Sequence, residues 1–245
     1  MTSYLFGVNA VSEALSQGRQ IDVLYIERGS RNARLISVRE QAQQQGIQIQ
    51  VCERRQLEEL VGEVRHQGVI AQVKGRDAVS LAQLLEQFPP PSSFFLVLDS
   101  VTDPHNFGAL IRSAAAAGCQ AVIYAKDRSC PVTGIVEKTA AGTIAHIQLC
   151  QVTNLARAIE EMKKAGVWVY GLAGEEGQSL YETPLSAPVA LVAGSEGKGI
   201  RPLIRKLCDG LVAIPMPGQV ESLNVSVATG IALFEVVRNH LKIKK

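Results

Sequence analysis

The sequence predicts an α/β protein in two parts: a small N-terminal α/β unit, and a larger C-terminal unit built on a mostly parallel sheet covered by helices on both faces. Three observations carry that prediction. After residue 94, runs that are apolar throughout alternate with helical stretches, the pattern of strands buried on both faces. Before residue 75 the same alternation recurs with shorter, more polar strands. Between them stand Pro89, Pro90 and Pro91, which suit neither a helix interior nor a central strand.

Taken in order, "GVNAVSEALSQG" reads as a helix closed by Gly18, and "IDVLYIE" as an apolar strand. "ARLISVREQAQQQG" is helical to Gly46, "IQIQVCE" alternates with period two, "RRQLEELVG" is helical, and "GVIAQV" is a closing strand. These elements make residues 1–75 the first domain. Residues 76–93, "RDAVSLAQLLEQFPPPSS", contain one short amphipathic turn of helix and then a stiff, extended, Pro-rich linker. Residues 94–245 form the second domain. Its strands are "FFLVLDS", "AVIYAKD", "HIQLCQV", "VWVYGLAG", "VALVAGS" and "GLVAIPM"; its helices are "GALIRSAAAAG", "NLARAIEEMKKAG" and "NVSVATGIALFEVVRNHLK".

With 245 residues and 47% hydrophobic composition, the chain has ample material for a packed core. No apolar run approaches the roughly 18 residues of a membrane helix. "MTSYLFGVNA" lacks the basic-then-apolar order of an export signal, so a cytoplasmic protein is expected. Cys52, Cys119, Cys130, Cys150 and Cys208 are odd in number, scattered and never in C-x-x-C spacing. They predict small core residues in a reducing compartment, not a disulfide framework or a zinc knuckle. The four histidines are dispersed, so no metal site is expected. A net charge of +2 permits nucleic-acid binding without requiring it.

Ligands of parallel sheets bind beyond the carboxyl ends of the strands, which singles out three loops. After "FFLVLDS", the stretch "VTDPHNFGALIRSAAAAG" begins a turn at Asp103-Pro104 and places Asn106 where it could cap a helix. A cap and a solvated arginine would account for it, but a lone Arg112 beside Ala114 to Ala117 favours function. After "VALVAGS", the stretch "GSEGKGI" offers bare backbone at Gly194, Gly197 and Gly199 and presents Glu196. Its spacing fits neither a Walker A loop nor G-x-G-x-x-G, and a plain glycine turn is an equal reading. After "GLVAIPM", the stretch "SLNVSVATG" carries Ser222, Asn224 and Ser226, more polar groups than one helix cap needs.

Together "DPHNFGALIRSA", "ALVAGSEGKGI" and "IPMPGQVESLNVSVATGIALFE" resemble, in order and spacing, the three motifs of the SPOUT superfamily, specifically of the SpoU/TrmH family of RNA ribose 2'-O-methyltransferases. The likeness spans residues 94–240, and "FGVNAVSEAL" with "HQGVIAQV" resembles the L30e-like RNA-binding domain of many members. The whole pattern is most similar to bacterial members acting on a guanosine of 23S rRNA, which implies a target in the peptidyl-transferase P loop. The resemblance implies a C-terminal SPOUT α/β domain with a trefoil knot, an exception to the rule against threaded loops, after a small L30e-like domain. It also implies a homodimer, with 23S rRNA or a ribosomal assembly intermediate as partner and no membrane or metal. The implied cofactor is S-adenosyl-L-methionine, gripped near Gly194, Ile214 and Leu223 and bordered by Ala173 and Gly174. Arg112 matches the family's catalytic arginine, and Asn106, Glu196, Ser222 and Asn224 match its polar site residues.

An arginine stays protonated in proteins and makes a poor general base. Arg112 is therefore expected to clamp the target phosphate and stabilise the developing 2'-oxyanion, the proton leaving through phosphate or water. Glu196 is expected to orient Arg112 or Asn106, with Ser222 and Asn224 ordering the RNA backbone. Ser226 and Thr229 are expected to face a partner subunit or to bond back along their helix. Arg28, Arg31, Arg34, Arg54, Arg55 and Arg65 could meet phosphates, although Glu53, Glu58 and Glu59 dilute that patch. Two rivals stay open: a tRNA ribose methyltransferase of the same family, whose members often lack the N-terminal domain, and a non-catalytic RNA-binding assembly factor. A dinucleotide-dependent oxidoreductase fails for want of a glycine fingerprint after the first strand of either domain.

Overall fold

The computed structural model describes the chain except residues 1, 31, 63, 65, 75–78, 175, 176, 219, 221, 244 and 245, together with the side chains of residues 2, 3, 74, 242 and 243. In chain order the elements are β1 (Thr2–Phe6), α1 (Val8–Ser16), β2 (Ile21–Glu27), α2 (Ala33–Gln44), β3 (Gln48–Cys52), α3 (Arg54–Val61) and β4 (Val69–Lys74). Next come α4 (Leu81–Gln87), β5 (Phe94–Leu98), α5 (Pro104–Ala116), β6 (Ala121–Ala125), α6 (Gly134–Thr139), β7 (Gln148–Val152) and α7 (Leu155–Lys164). The last are β8 (Trp168–Leu172), β9 (Gln178–Ser179), β10 (Val189–Ala193), α8 (Pro202–Leu207), β11 (Gly210–Ala213) and α9 (Val225–Ile243). The chain divides into two compact units: Met1–Asp77 with Val132–Ala145, and Ala78–Pro131 with His146–Lys245.

The first unit holds a four-stranded sheet in the order β1-β4-β2-β3. β4 runs antiparallel to both neighbours, and β2 is parallel to β3. α1 buries Val8, Val11 and Leu15, and α2 buries Leu35, Val38 and Ala42, against Leu24, Val69 and Ala71 of the sheet. β1 is absent from the sequence reading, because "TSYLF" carries only a short apolar run. Its pairing with β4, Leu5 opposite Ala71 and Phe6 opposite Ile70, makes it a strand. α6, also unpredicted, is too short to hold itself. Gly134 lies so close to β1 that an added Cβ would fall 2.1 Å from the Phe6 ring. One turn on, buried Glu137 receives Arg19 Nη1 at 3.0 Å.

The second unit is a seven-stranded sheet, β7-β6-β5-β10-β8-β11-β9, with every pairing parallel, as the apolar strands predict. Alternate residues such as Phe95, Val97, Ile123, Val169 and Val192 meet α4, α7 and α8 on one face. Leu81 and Leu84 of α4 belong to that core, so a helix from the stretch before the prolines packs in the second unit. α5 and α9 pack on each other and on β6 and β10. The chain lays β5, β6 and β7 outward in one direction and continues on the other side of β5, so β5 and β10 are neighbours whose following loops diverge. Such a switch point opens a crevice at the carboxyl ends of the strands.

Candidate active site

The crevice is furnished by loops following β5 and β10 and by the entry to α9. Beyond β5, Asp103 caps α5: its carboxylate accepts the Asn106 backbone N–H at 2.7 Å, and Pro104 fills the first helical turn. The cap is therefore Asp103 and not Asn106, which leaves the Asn106 amide side chain available. Beyond β10, the backbones of Ser195 and Gly199 exchange hydrogen bonds of 3.0 and 2.9 Å and turn Glu196 outward. Gly194 admits no side chain there, since an added Cβ would lie 2.1 Å from the Gly199 carbonyl carbon. At α9 the cap is Asn224, whose Oδ1 accepts the Ser226 N–H at 2.9 Å and the Ser226 hydroxyl at 2.6 Å.

Capping uses only the oxygen of Asn224. Its Nδ2 donates to Asn106 Oδ1 at 3.0 Å and to Glu196 Oε1 at 2.9 Å, while Asn106 Nδ2 donates to Glu196 Oε2 at 3.1 Å. Three side chains from three loops thus close a ring in which the carboxylate fixes both amides. Of the two expected partners of Glu196, the structure pairs it with Asn106; Arg112 is exposed and makes no hydrogen bond or ion pair among the described residues. Six residues along α5, Arg112 stands about 9 Å further down the helix axis than Asn106. Thr229 does not bond back along α9: it is fully buried, and its hydroxyl has no partner among the described residues.

Beside the ring lies a cavity of about 440 Å³, a volume suited to a cofactor-sized ligand. Ala173, Gly174, Gly194, Ile214 and Leu223 all line it, as do Glu196, Ser222 and Asn224, whereas Asn106 and Arg112 do not. Sequence reasoning missed Leu180 and Met216 in the same wall. Leu180 lies on no predicted element, and Met216 ends the stretch "GLVAIPM" read as a strand, which the structure closes at Ala213. Bare backbone at Gly194 beside Leu180, Ile214 and Leu223 offers hydrogen-bonding edges next to apolar faces. Those are the surfaces that a nucleoside-bearing cofactor such as S-adenosyl-L-methionine needs, so the residues fit that group. Among the described residues no cluster of His, Cys, Asp or Glu could hold a metal ion, and no helix is long and apolar enough to cross a membrane.

Of the arginines expected to meet phosphates, Arg28 pairs with Glu53 at 3.3 Å, Arg54 with Glu58 at 3.0 Å and Arg55 with Glu59 at 3.4 Å, while Arg34 is exposed and makes no ion pair among the described residues. Arg31 and Arg65 lie outside the described residues. In the turn before β4, Gln67 Oε1 accepts the Val8 N–H at 3.1 Å and supplies the cap that Gly7 cannot. His66 is buried, its Nδ1 accepts the Gly68 N–H at 3.0 Å, and burial lowers its pKa.

A model described as the SpoU rRNA methylase family matches residues 93–234, and one described as RNA 2'-O ribose methyltransferase substrate binding matches residues 4–78. The 23S rRNA (guanosine-2'-O-)-methyltransferase RlmB of Xanthomonas campestris is 47% identical over 241 residues, 97% of each chain. The protein of that name from Escherichia coli is 43% identical over 242 residues, 97% of this chain and 99% of that one. Among solved structures, the SpoU methyltransferase AviRb from Streptomyces viridochromogenes in complex with AdoMet has the same fold: the TM-score is 0.80 at 23% identity, over 100% of this chain and 92% of that one. On the match to the methylase model and the identity to these relatives over nearly the whole chain, the protein belongs to the SpoU rRNA methylase family.

Proposed function

We propose that this chain transfers the methyl group of S-adenosyl-L-methionine to a ribose 2'-hydroxyl in RNA, and that its target is a guanosine in the peptidyl-transferase P loop of 23S rRNA. The observation that carries the reading is the ring of Asn106, Glu196 and Asn224, closed from three separate loops beside a cavity lined by Ala173, Gly174, Gly194, Ile214 and Leu223. The names of the relatives supply the class of RNA and the guanosine; the P loop rests on the sequence resemblance alone.

The bound cofactor brings an already activated methyl group, so the protein's tasks are placement and charge stabilisation. Glu196, by holding both asparagine amides, leaves one Nδ2 hydrogen and one Oδ1 lone pair of Asn106 for the substrate, while Asn224 is fully used by the ring and the helix cap. Ser222, in the cavity wall beside them, orders the sugar or phosphate. Arg112, unpaired and exposed, keeps its planar guanidinium for a phosphate and for the negative charge that develops on the 2'-oxygen. The proton leaves through phosphate or water.

The reading includes a homodimer. α9 leaves Val227 51%, Phe234 51% and Leu241 60% exposed, at heptad spacing on one helix face, a stripe suited to a second copy. It also includes a trefoil knot in the second unit, an L30e-like first unit that grips RNA, and a cytoplasmic location. Mapping ribose methylation in rRNA and tRNA from cells lacking the gene tests it, followed by restoration with purified protein and labelled S-adenosyl-L-methionine. One guanosine of 23S rRNA is expected to lose its methyl group and regain it. Loss from tRNA instead would support the tRNA enzyme, and no loss at all would defeat the reading.

A further inference from the structure

A second cavity, of about 320 Å³, opens at the same carboxyl edge of the sheet, beyond β6 and β7 and beside the end of the loop that carries Glu196. The methyl-transfer site uses none of its wall. Arg201 is held there by one side only: its backbone N–H donates to Asp99 Oδ2 at 2.8 Å and its Nε to Asp99 Oδ1 at 2.6 Å. Asp99 is fully buried, so the guanidinium is anchored while its two terminal nitrogens stay available. Arg128, in the same wall, is exposed and makes no ion pair among the described residues. Its φ of 64° is a left-handed conformation that few residues other than glycine adopt.

Two further features face that space. α7 begins in the wall with Leu155 and Ala156, whose N–H groups have no carbonyl within the helix to bond, the Asn154 side chain being used on Arg157 N–H at 3.2 Å. Leu203, 62% exposed, adds an apolar flank. Asp127 also lies in the wall and Asp99 backs Arg201, so two arginines meet two aspartates and these four groups carry no excess charge. That balance suits one phosphate diester better than a dense anion.

We propose that this cavity is a nucleotide subsite, in which Arg128, Arg201 and the N-terminus of α7 hold a phosphate of the RNA flanking the methylated ribose while its sugar lies against Leu203. The subsite rests on the reading of RNA as substrate. β6 and β10 are two places apart in the sheet, about 10 Å at ordinary strand spacing, which neighbouring nucleotides of one strand can span.

The test measures binding of unmodified 23S rRNA transcript to the full-length protein across a salt series, with S-adenosyl-L-methionine affinity by calorimetry alongside. Arg128→Ala is expected to weaken RNA binding about three- to tenfold and to lower the slope of log affinity against log salt by about one. Arg128→Glu weakens it further, and neither changes cofactor affinity. Lys164→Glu, the same charge change at the far end of α7, leaves RNA binding as in the wild type. Wild-type affinity in Arg128→Glu overturns the subsite, as does equal weakening by Lys164→Glu or loss of cofactor binding in Arg128→Glu. A wild-type protein that does not bind the transcript overturns the substrate reading, and the subsite with it.

Discussion

The two units place their charged and polar groups differently. In the first, four arginines are committed, Arg19 half-buried on Glu137 and Arg28, Arg54 and Arg55 each on a nearby glutamate, while Arg34 and Arg39 are exposed with no ion pair among the described residues. In the second, polar groups gather at one edge of the sheet, where Asn106, Glu196 and Asn224 bind one another and Arg112 and Arg128 bind nothing among the described residues. Committed groups hold the chain; unspent ones are available to a ligand. The ion-paired arginines of the first unit are thus a weaker sign of RNA contact than Arg112 and Arg128 of the second, although exposed ion pairs are worth only about 0–1 kcal/mol and can be exchanged for phosphate.

The sharpest way to break this contrast is Arg112→Ala. If Arg112 is held in reserve for the reaction, methylation falls by about 10²–10³-fold, the range for losing one preorganised charge donor, while the thermal midpoint and cofactor affinity stay as in the wild type. Arg112→Lys restores little, because a point charge cannot replace a planar fork. Near-wild-type turnover in Arg112→Lys would remove the clamp from the mechanism.

Glu137→Ala probes the opposite side. It strands Arg19 in a site where the two side chains are 15% and 7% exposed, and destabilises the first unit by about 3 kcal/mol. Chemical denaturation followed in the first unit reads the loss, and cofactor affinity is expected to hold. Replacing both partners, Arg19→Met with Glu137→Leu, recovers most of it, since an apolar pair needs no desolvation of charge. A smaller effect is expected for Glu196→Gln, which turns an amide nitrogen toward one of the two asparagine donors and lowers turnover by about tenfold with little change in melting.

The same contrast marks what could be read from sequence. β2, β5 and β10 stand out in "IDVLYIE", "FFLVLDS" and "VALVAGS" because apolar runs declare themselves locally. β1, α6 and the return of residues 132–145 to the first unit do not, because what makes them is remote: Glu137 meets Arg19 118 positions away, and Gly134 is required by the Phe6 ring. At the site, the loops are legible, and of the partners only Glu196 with Asn106, as one of two alternatives. "DPHNFG" suggests a cap without saying that Asp103 takes that role and frees Asn106, and no spacing rule links Asn106 to Asn224. Leu180 enters the cavity from an irregular stretch with no periodic signal.

The smallest effect concerns His66, the turn residue before β4. Burial is the main cause of its lowered pKa; Glu27 and Glu58 pull the other way, and Arg54 and Lys138 push with it. A base whose folded pKa lies below its unfolded value binds fewer protons in the folded state, so stability rises with pH through that window. The contribution is whole above the unfolded value of about 6.5 and is lost as pH falls from there through the lower folded pKa. Thermal unfolding between about pH 7.5 and 5.5, above most carboxylate titration, is expected to show a drop in the first unit's midpoint. His66→Gln, which keeps an acceptor for the Gly68 N–H, is expected to flatten that drop. An unchanged pH slope in the variant would mean that His66 is solvated, and that the first unit keeps a titratable group as open to ligands as those at the edge of the larger sheet.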